Sequence, residues 1–355
     1  MHLLGMNDDS RSNAAQAFAA AIAAMPADHP VLLLGHFDAD GLSGLAIVAR
    51  ALDRAGRRRD IRLVGKGENP WDAVVGKDVE AREPGGLVAI DLGVREGPIA
   101  RGVPTILIDH HRPTGTPGDA LVISGHALSP EPTSALLALW CAAGIAPVHD
   151  LLWLAALGLI GDMAPDDAFP ELKEAQTRYG KTALRDAVSL INAPRRTASA
   201  DATPALALLL ESDGPKAIVK GDRSEVATLY AAKQEVAAEL AQAKRAPPKV
   251  RDDIALIRFH SPCQIHPLIA QQWRGRLKDK IVLAANTGYR PGWVHFAARS
   301  ATGRDLIEYL AAHRPPGADA HYGSGHAQAT GGALRLPDWN RFVTDIGFPD
   351  QQVPL

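Results

Sequence analysis

Four short polar groups in this chain place aspartate and histidine at spacings that suggest catalysis: His36-Phe37-Asp38-Ala39-Asp40-Gly41, Asp91-Leu92-Gly93, Asp109-His110-His111 and Gly161-Asp162. Two desolvated carboxylates one residue apart repel each other unless something positive sits between them. The candidates are metal ions, a basic substrate, or plain exposure to water. Carboxylates with imidazoles, and no cysteine among them, suit Mn²⁺ or Mg²⁺ better than structural zinc. Carboxylates shared by two ions are relieved of their repulsion. Two ions roughly 3.5–4 Å apart activate a water and stabilise the leaving oxygen of a phosphoester.

Each group taken alone has an ordinary reading. A D-x-D at a strand end commonly caps a helix, and Asp40 could cap one starting at Leu42. Asp91 is an acceptable strand-to-turn residue, and Gly161-Asp162 could simply end a helix. The elements that must hold these groups argue for more. Apolar runs at 31–34, 61–64, 87–90, 105–108 and 121–123 alternate with helical patterns such as 42–55. This predicts buried parallel strands in an α/β sheet. Three of the runs end at the polar groups, and ligand sites in open α/β sheets gather beyond the carboxyl ends of the strands.

Further along, helices are expected at 134–143 and 151–160, with a long one over 225–245 that Pro247-Pro248 terminates. Residues 250–346 carry strand-like runs at 254–257, 281–284 and 293–296, a helix near 304–310, and a glycine-rich loop at 321–332. The expected organisation is an α/β domain over 1–200, a helical connector over 201–249, and a smaller α/β domain over 250–355, with a cleft between the two domains.

Composition excludes several classes. At 355 residues, two domains are expected, and 46% apolar residues argue against disorder. A formal net charge of -2 gives no global attraction to nucleic acid, although a local basic patch would escape that count. Arg57-Arg58-Arg59 and Pro194-Arg195-Arg196 could guide a nucleic-acid backbone, but solvated surface is the simpler reading. Cys141 and Cys263 stand far apart, which argues against a disulfide framework and fits a reducing compartment. Cys263 and His266 lack partners for a metal site and read as packing residues. Thr133-Ser134 could cap the helix that follows. No signal-peptide pattern or membrane-length apolar stretch is present, so a soluble cytoplasmic protein is expected, with no membrane partner.

The ordered set His36-x-Asp38-x-Asp40-Gly41, Asp91-Leu92-Gly93, Asp109-His110-His111 and Gly158-Leu159-Ile160-Gly161-Asp162 resembles the four motifs of the DHH phosphoesterase superfamily. In the second half, Phe296-Ala297-Ala298-Arg299-Ser300-Ala301-Thr302-Gly303, Asp305-Leu306, and Gly323-Ser324-Gly325-His326 through Gly331-Gly332 resemble the DHH-associated domain. The leading His36 brings the first motif nearest to RecJ-like single-strand exonucleases of the archaeal kind. The resemblance implies two Mn²⁺ (or Mg²⁺) ions held by His36, Asp38, Asp40, Asp91, His110 and Asp162, with Asp91 bridging. It implies that Asp109 orients an imidazole and that His111 faces the scissile phosphate. In the second domain it implies substrate contacts from Arg299, Ser300 and His326. Gly323, Ser324, Gly325, Gly331 and Gly332 would form an anion-binding nest.

The reading that follows is a phosphoric ester hydrolase that releases nucleotides from single-stranded DNA or RNA. Bacterial RecJ nucleases carry an additional oligonucleotide-binding barrel, for which this chain has no room. Sparse Trp and Tyr likewise give no obvious stacking groove, so short oligonucleotides gain weight as substrates. The alternatives are a nanoRNase or linear-dinucleotide phosphodiesterase, or a 3′-phosphoadenosine 5′-phosphate phosphatase. Pyrophosphatase and exopolyphosphatase activities fit the arginine-serine and glycine-rich pattern less well. A catalytically silent scaffold on the same fold would have lost the ligands, which are all present.

Overall fold

A computed structural model describes residues 8–318 and 322–355. The chain folds as two compact units, 1–195 with 201–231, and 196–200 with 232–355. Each is built around its own sheet.

The first unit opens with α1 (Asp8–Ala24), β1 (Val31–Gly35), α2 (Ala39–Arg54), β2 (Arg59–Leu63) and α3 (Ala73–Ala81). Next come β3 (Gly86–Ile90), β4 (Thr105–Asp109), β5 (Leu121–Ser124), α4 (Ser134–Ala142) and α5 (Leu152–Gly161). Then follow α6 (Pro170–Tyr179), α7 (Lys181–Ile191), α8 (Thr203–Glu211), α9 (Pro215–Lys220) and α10 (Ser224–Ala243), which continues into the second unit. The five strands form one parallel sheet in the order β2-β1-β3-β4-β5. All residues of β1 and β3 are buried, which is why they read as unbroken apolar runs rather than as alternating ones. The strand order reverses direction between β1 and β3, the kind of switch point beyond whose carboxyl ends ligands bind in open α/β sheets. Helix α2 packs against α4, α5 and α8. Neighbours on several sides leave it little solvent: every residue from Ala39 through Ala49 is buried, as are Ala51 and Leu52.

One expectation is corrected here. Helix α2 begins three residues before the predicted start at 42, because Asp38 is its N-cap and accepts from the Gly41 N–H at 3.2 Å. Asp40 is therefore not the cap. It lies in the first turn, 1% exposed, with its side chain directed elsewhere.

The second unit contains β6 (Lys249–Arg251), β7 (Ile254–Phe259), α11 (His266–Arg276), β8 (Ile281–Asn286) and β9 (Trp293–Ser300). It continues with α12 (Leu306–Ala312), β10 (Ser324–His326), β11 (Ala329–Arg335) and α13 (Leu336–Asp345). Its six-stranded sheet runs β10-β11-β9-β8-β7-β6, antiparallel except where β7 meets β8. Helix α11 packs on β8 and β9, over a core that includes Ile269, Val282, Ala284 and Ala297. Phe296, Trp339 and Phe342 anchor a second core cluster. The glycine-rich segment expected as a loop is largely a β-hairpin, with Gly325 opposite Thr330. Gly331 is needed where β11 meets β9, since a Cβ there would lie 2.4 Å from the Phe296 carbonyl oxygen. Among the described residues, no helix is long and apolar enough to cross a membrane.

Candidate metal centre

Four elements of the first unit deliver the polar groups. β1 ends at Gly35, and residues 36–38 turn directly into α2. That turn requires Gly41, where a Cβ would sit 2.5 Å from the His36 carbonyl oxygen. Asp91 follows β3 with φ 62°, in the left-handed region that aspartate tolerates better than most residues. Asp109 closes β4, with His110 and His111 just beyond it, and Asp162 is the C-cap of α5.

These elements bring all six sequence-predicted ligands together. His36 Nδ1 lies 3.1 Å from Asp38 Oδ2 and 3.4 Å from Asp91 Oδ2. The other oxygen of Asp91, Oδ1, lies 3.7 Å from His110 Nε2. His110 Nε2 is also 3.3 Å from Asp162 Oδ2 and 4.0 Å from Asp40 Oδ2. Three groups of donor atoms each fit within 4.8 Å: His36, Asp38 and Asp91; Asp40, His110 and Asp162; and Asp91, His110 and His111. Asp91 thus stands between the first two groups, with one oxygen toward each. Asp109 is placed differently. Its Oδ2 accepts from the Gly93 N–H at 2.6 Å, and its Oδ1 accepts from the His111 N–H at 2.7 Å and lies 3.1 Å from His111 Nδ1.

The electrostatics call for a cation. Burial, together with Asp91 and Asp162, pushes the Asp40 carboxyl well above its usual range. Burial also raises Asp91. Burial resists protonation of His36 and His110, but the carboxylates around them prevail and push both up to about 10. His111 reaches about 9 against the same resistance, chiefly through Asp109. Burial would raise Asp38 too, but His36 and then Arg195 hold it well below the usual carboxylate range. Here the imidazoles supply the positive charge that the carboxylates demand. A divalent cation would meet that demand better, and the oxygen and imidazole donors match the chemistry of Mn²⁺ or Mg²⁺. The residues present fit such an ion.

Several participants are invisible in the local sequence. Ser134 does not act as a helix cap: its hydroxyl donates to Asp91 Oδ1 at 3.0 Å. The Ser134 and Ala135 N–H groups, at the start of α4, donate to Asp40 at 2.8 and 3.0 Å. The positive end of α4 therefore faces Asp40. Glu131 Oε1 lies 3.3 Å from His110 Nδ1, an arrangement that turns Nε2 toward the three aspartates. Asn192 Oδ1 accepts from the Ala39 N–H at 3.0 Å and ties the segment after α7 to the ligand turn. Arg195, expected on the solvated surface, is 18% exposed with Nη2 3.9 Å from Asp38 Oδ2. The other basic cluster is structural: Arg57 donates to the Met25 and Pro26 carbonyls, Arg58 to the Asp28 carbonyl and Arg59 to Asp53.

In the second unit, Arg299 lies on β9 and donates to the Ala298 and Thr330 carbonyls at 2.9 and 3.0 Å. Burial lowers its pKa, with Arg274 adding to the effect. Ser300, expected to contact substrate, is engaged within its own turn. Ser300 is fully buried, and its Oγ lies 2.8 Å from Thr302 Oγ1 and accepts from the Thr302 N–H, closing its own turn. Gly323 and Gly325 have φ of 76° and 128°, while Gly331 and Gly332 belong to β11. Ser324 and His326 contribute backbone to β10, and their side chains lie outside the described residues.

Comparison with known proteins gives a consistent picture. No family model matches the chain. The chain is 33% identical, over 147 residues, to the single-stranded-DNA-specific exonuclease RecJ of Thermus thermophilus; the match takes in 37% of this chain and 22% of that protein. The fold resembles RecJ from Thermus thermophilus in complex with Mn²⁺, with a TM-score of 0.72 and 22% identity over 97% of this chain and 55% of that one. It also resembles an exonuclease RecJ bound to manganese, with a TM-score of 0.66 and 22% identity over 99% of this chain and 98% of that one. The chain therefore spans about half the length of the Thermus structure and nearly all of the second one.

Proposed function

We propose that this chain is a DHH phosphoesterase of the RecJ kind, a metal-dependent phosphodiesterase that releases nucleotides from single-stranded nucleic acid; its likeness to RecJ and its clusters of carboxylate and imidazole donors support this reading. The position of Asp91 carries this reading, since its two oxygens face two separate groups of donors. His36, Asp38 and Asp91 would hold one divalent cation, and Asp40, Asp91, His110 and Asp162 a second. When bound, such a pair supplies a Lewis acid for the phosphoryl oxygens and lowers the pKa of a nearby water.

The side chains of this protein would do the rest. Ser134 and the start of α4 fix the directions of Asp91 and Asp40. Glu131 selects the ring nitrogen that His110 turns toward the aspartates. Asp109 holds His111 at Nδ1, leaving a half-exposed imidazole whose pKa the neighbouring carboxylates raise. In its protonated form His111 is suited to stabilise charge on the phosphate or to protonate the departing oxygen. The two histidines differ in their nearest partners: His110 faces three aspartates through Nε2, whereas His111 Nδ1 lies 3.1 Å from Asp109 and 3.8 Å from Asp91.

The test is a Mn²⁺ assay on end-labelled DNA and RNA of graded length, with each product resolved. Stepwise shortening of single strands is expected, and the label shows from which end. Activity that collapses beyond a few nucleotides would move the assignment to a linear-dinucleotide or nanoRNA phosphodiesterase. Failure to cleave any phosphodiester by a protein that binds Mn²⁺ would overturn it.

A further inference from the structure

A site built to collect cations also holds a part-buried cation of its own, Arg195. Arg195 follows α7, on a segment that Asn192 pins to the first turn of α2. Its guanidinium approaches Asp38 only to 3.9 Å, and its Nε is buried without a hydrogen-bond partner among the described residues. Asp38 is already engaged, accepting from the Gly41 N–H and lying 3.1 Å from His36. A guanidinium remains charged at any ordinary pH, and a buried Nε–H without a partner is costly. A fixed positive charge beside Asp38 also opposes the arrival of a metal ion at the same carboxylate. Both costs are offset if an anion arrives with the metal.

We propose that Arg195 binds a non-bridging oxygen of the substrate phosphate beside the Asp38 end of the metal centre. This rests on the phosphodiesterase reading above. The planar fork of arginine matches a phosphate in geometry as well as charge, which lysine does not. In the protein without substrate, the guanidinium leans on Asp38; with substrate bound, the phosphate becomes its partner.

The test pairs two calorimetric titrations, Mn²⁺ into the metal-free protein and adenosine 5′-monophosphate into the Mn²⁺-loaded protein. Arg195→Met should keep the Mn²⁺ stoichiometry, with affinity equal to or tighter than wild type, and bind the monophosphate at least tenfold more weakly. Arg195→Lys should fall between the two. Unchanged monophosphate affinity in Arg195→Met, or loss of its Mn²⁺ stoichiometry, overturns the proposal; the second outcome would make Arg195 a prop for Asp38. A wild-type protein that takes up Mn²⁺ but not the monophosphate overturns it as well. A wild-type protein that takes up no Mn²⁺ overturns the phosphodiesterase reading first, so the two failures are distinguishable.

Discussion

The hydroxyl of Ser134 donates a 3.0 Å hydrogen bond to Oδ1 of Asp91, and both side chains are buried. The bond ties the start of α4 to the end of β3 at the carboxylate shared by the two donor groups. Ser134→Ala removes a donor from a carboxylate that burial already disfavours. The expected cost is about 1–3 kcal/mol of stability, together with weaker Mn²⁺ binding. Thermal denaturation and a Mn²⁺ titration check this, and unchanged values in both would remove Ser134 from the site.

Asp91→Asn separates stability from function. Asparagine tolerates the left-handed backbone at this position, whereas alanine does not tolerate it as well. Removing one charge also relieves Asp40, which Asp91 raises. The metal-free variant should melt at or above the wild-type temperature, yet lose the Mn²⁺-induced stabilisation and all activity. A Mn²⁺ shift equal to that of wild type would show that Asp91 is not a shared ligand.

Gly158 in α5 leaves room for Asp40. A Cβ at this position would lie 2.2 Å from Asp40 Oδ1 and 2.6 Å from Ala135 Cβ. Gly158→Ala must therefore displace Asp40 or separate α5 from α4, at about 1–3 kcal/mol. Lower stability and weakened Mn²⁺ binding are expected together. Gly275→Ala, in α11, is the control, because its Cβ would meet nothing within 4 Å. Equal behaviour of the two variants would contradict the packing.

Metal uptake should release protons. His36 and His110 stand at about 10 in the metal-free protein, against 6.5 for an unperturbed imidazole. Since their folded pKa values are raised, their contribution to stability is fully present below 6.5 and lost as pH rises through about 10. A ligating imidazole must give up its proton at the bonding nitrogen, so Mn²⁺ affinity should increase as pH rises toward about 10. Titrations in two buffers of different ionisation enthalpy measure the protons released. Affinity independent of pH, with no proton release, would exclude the histidines as ligands.

Local pattern carried much of the first unit. Its five strands lie at or beside the apolar runs, and the central β1 and β3 are apolar throughout because they are buried on both faces, whereas the edge strand β2 carries Arg59, Asp60 and Arg62. The polar groups at their ends stand out for the same reason. The start of α2 was misplaced because Asp38 and Asp40 are equally plausible caps in sequence, and only the Gly41 hydrogen bond separates them. The glycine-rich segment looked like a loop because its strand character comes from pairing β11 with β9, a distant partner.

Residue types and their order along the chain were enough to identify an oxygen-and-imidazole donor set at strand ends, because that information is local. The division of labour within the set was not local. Ser134 meets Asp91 across 43 positions, and Asn192 meets Ala39 across 153. Arg195 reaches Asp38 only because that same segment folds back on the ligand turn. Which oxygen of Asp91 faces which histidine depends on how β1, β3 and β4 lie side by side and on where α4 and α5 pack. Carboxylates and cations act through distances of a few ångströms, and only the folded chain sets those distances.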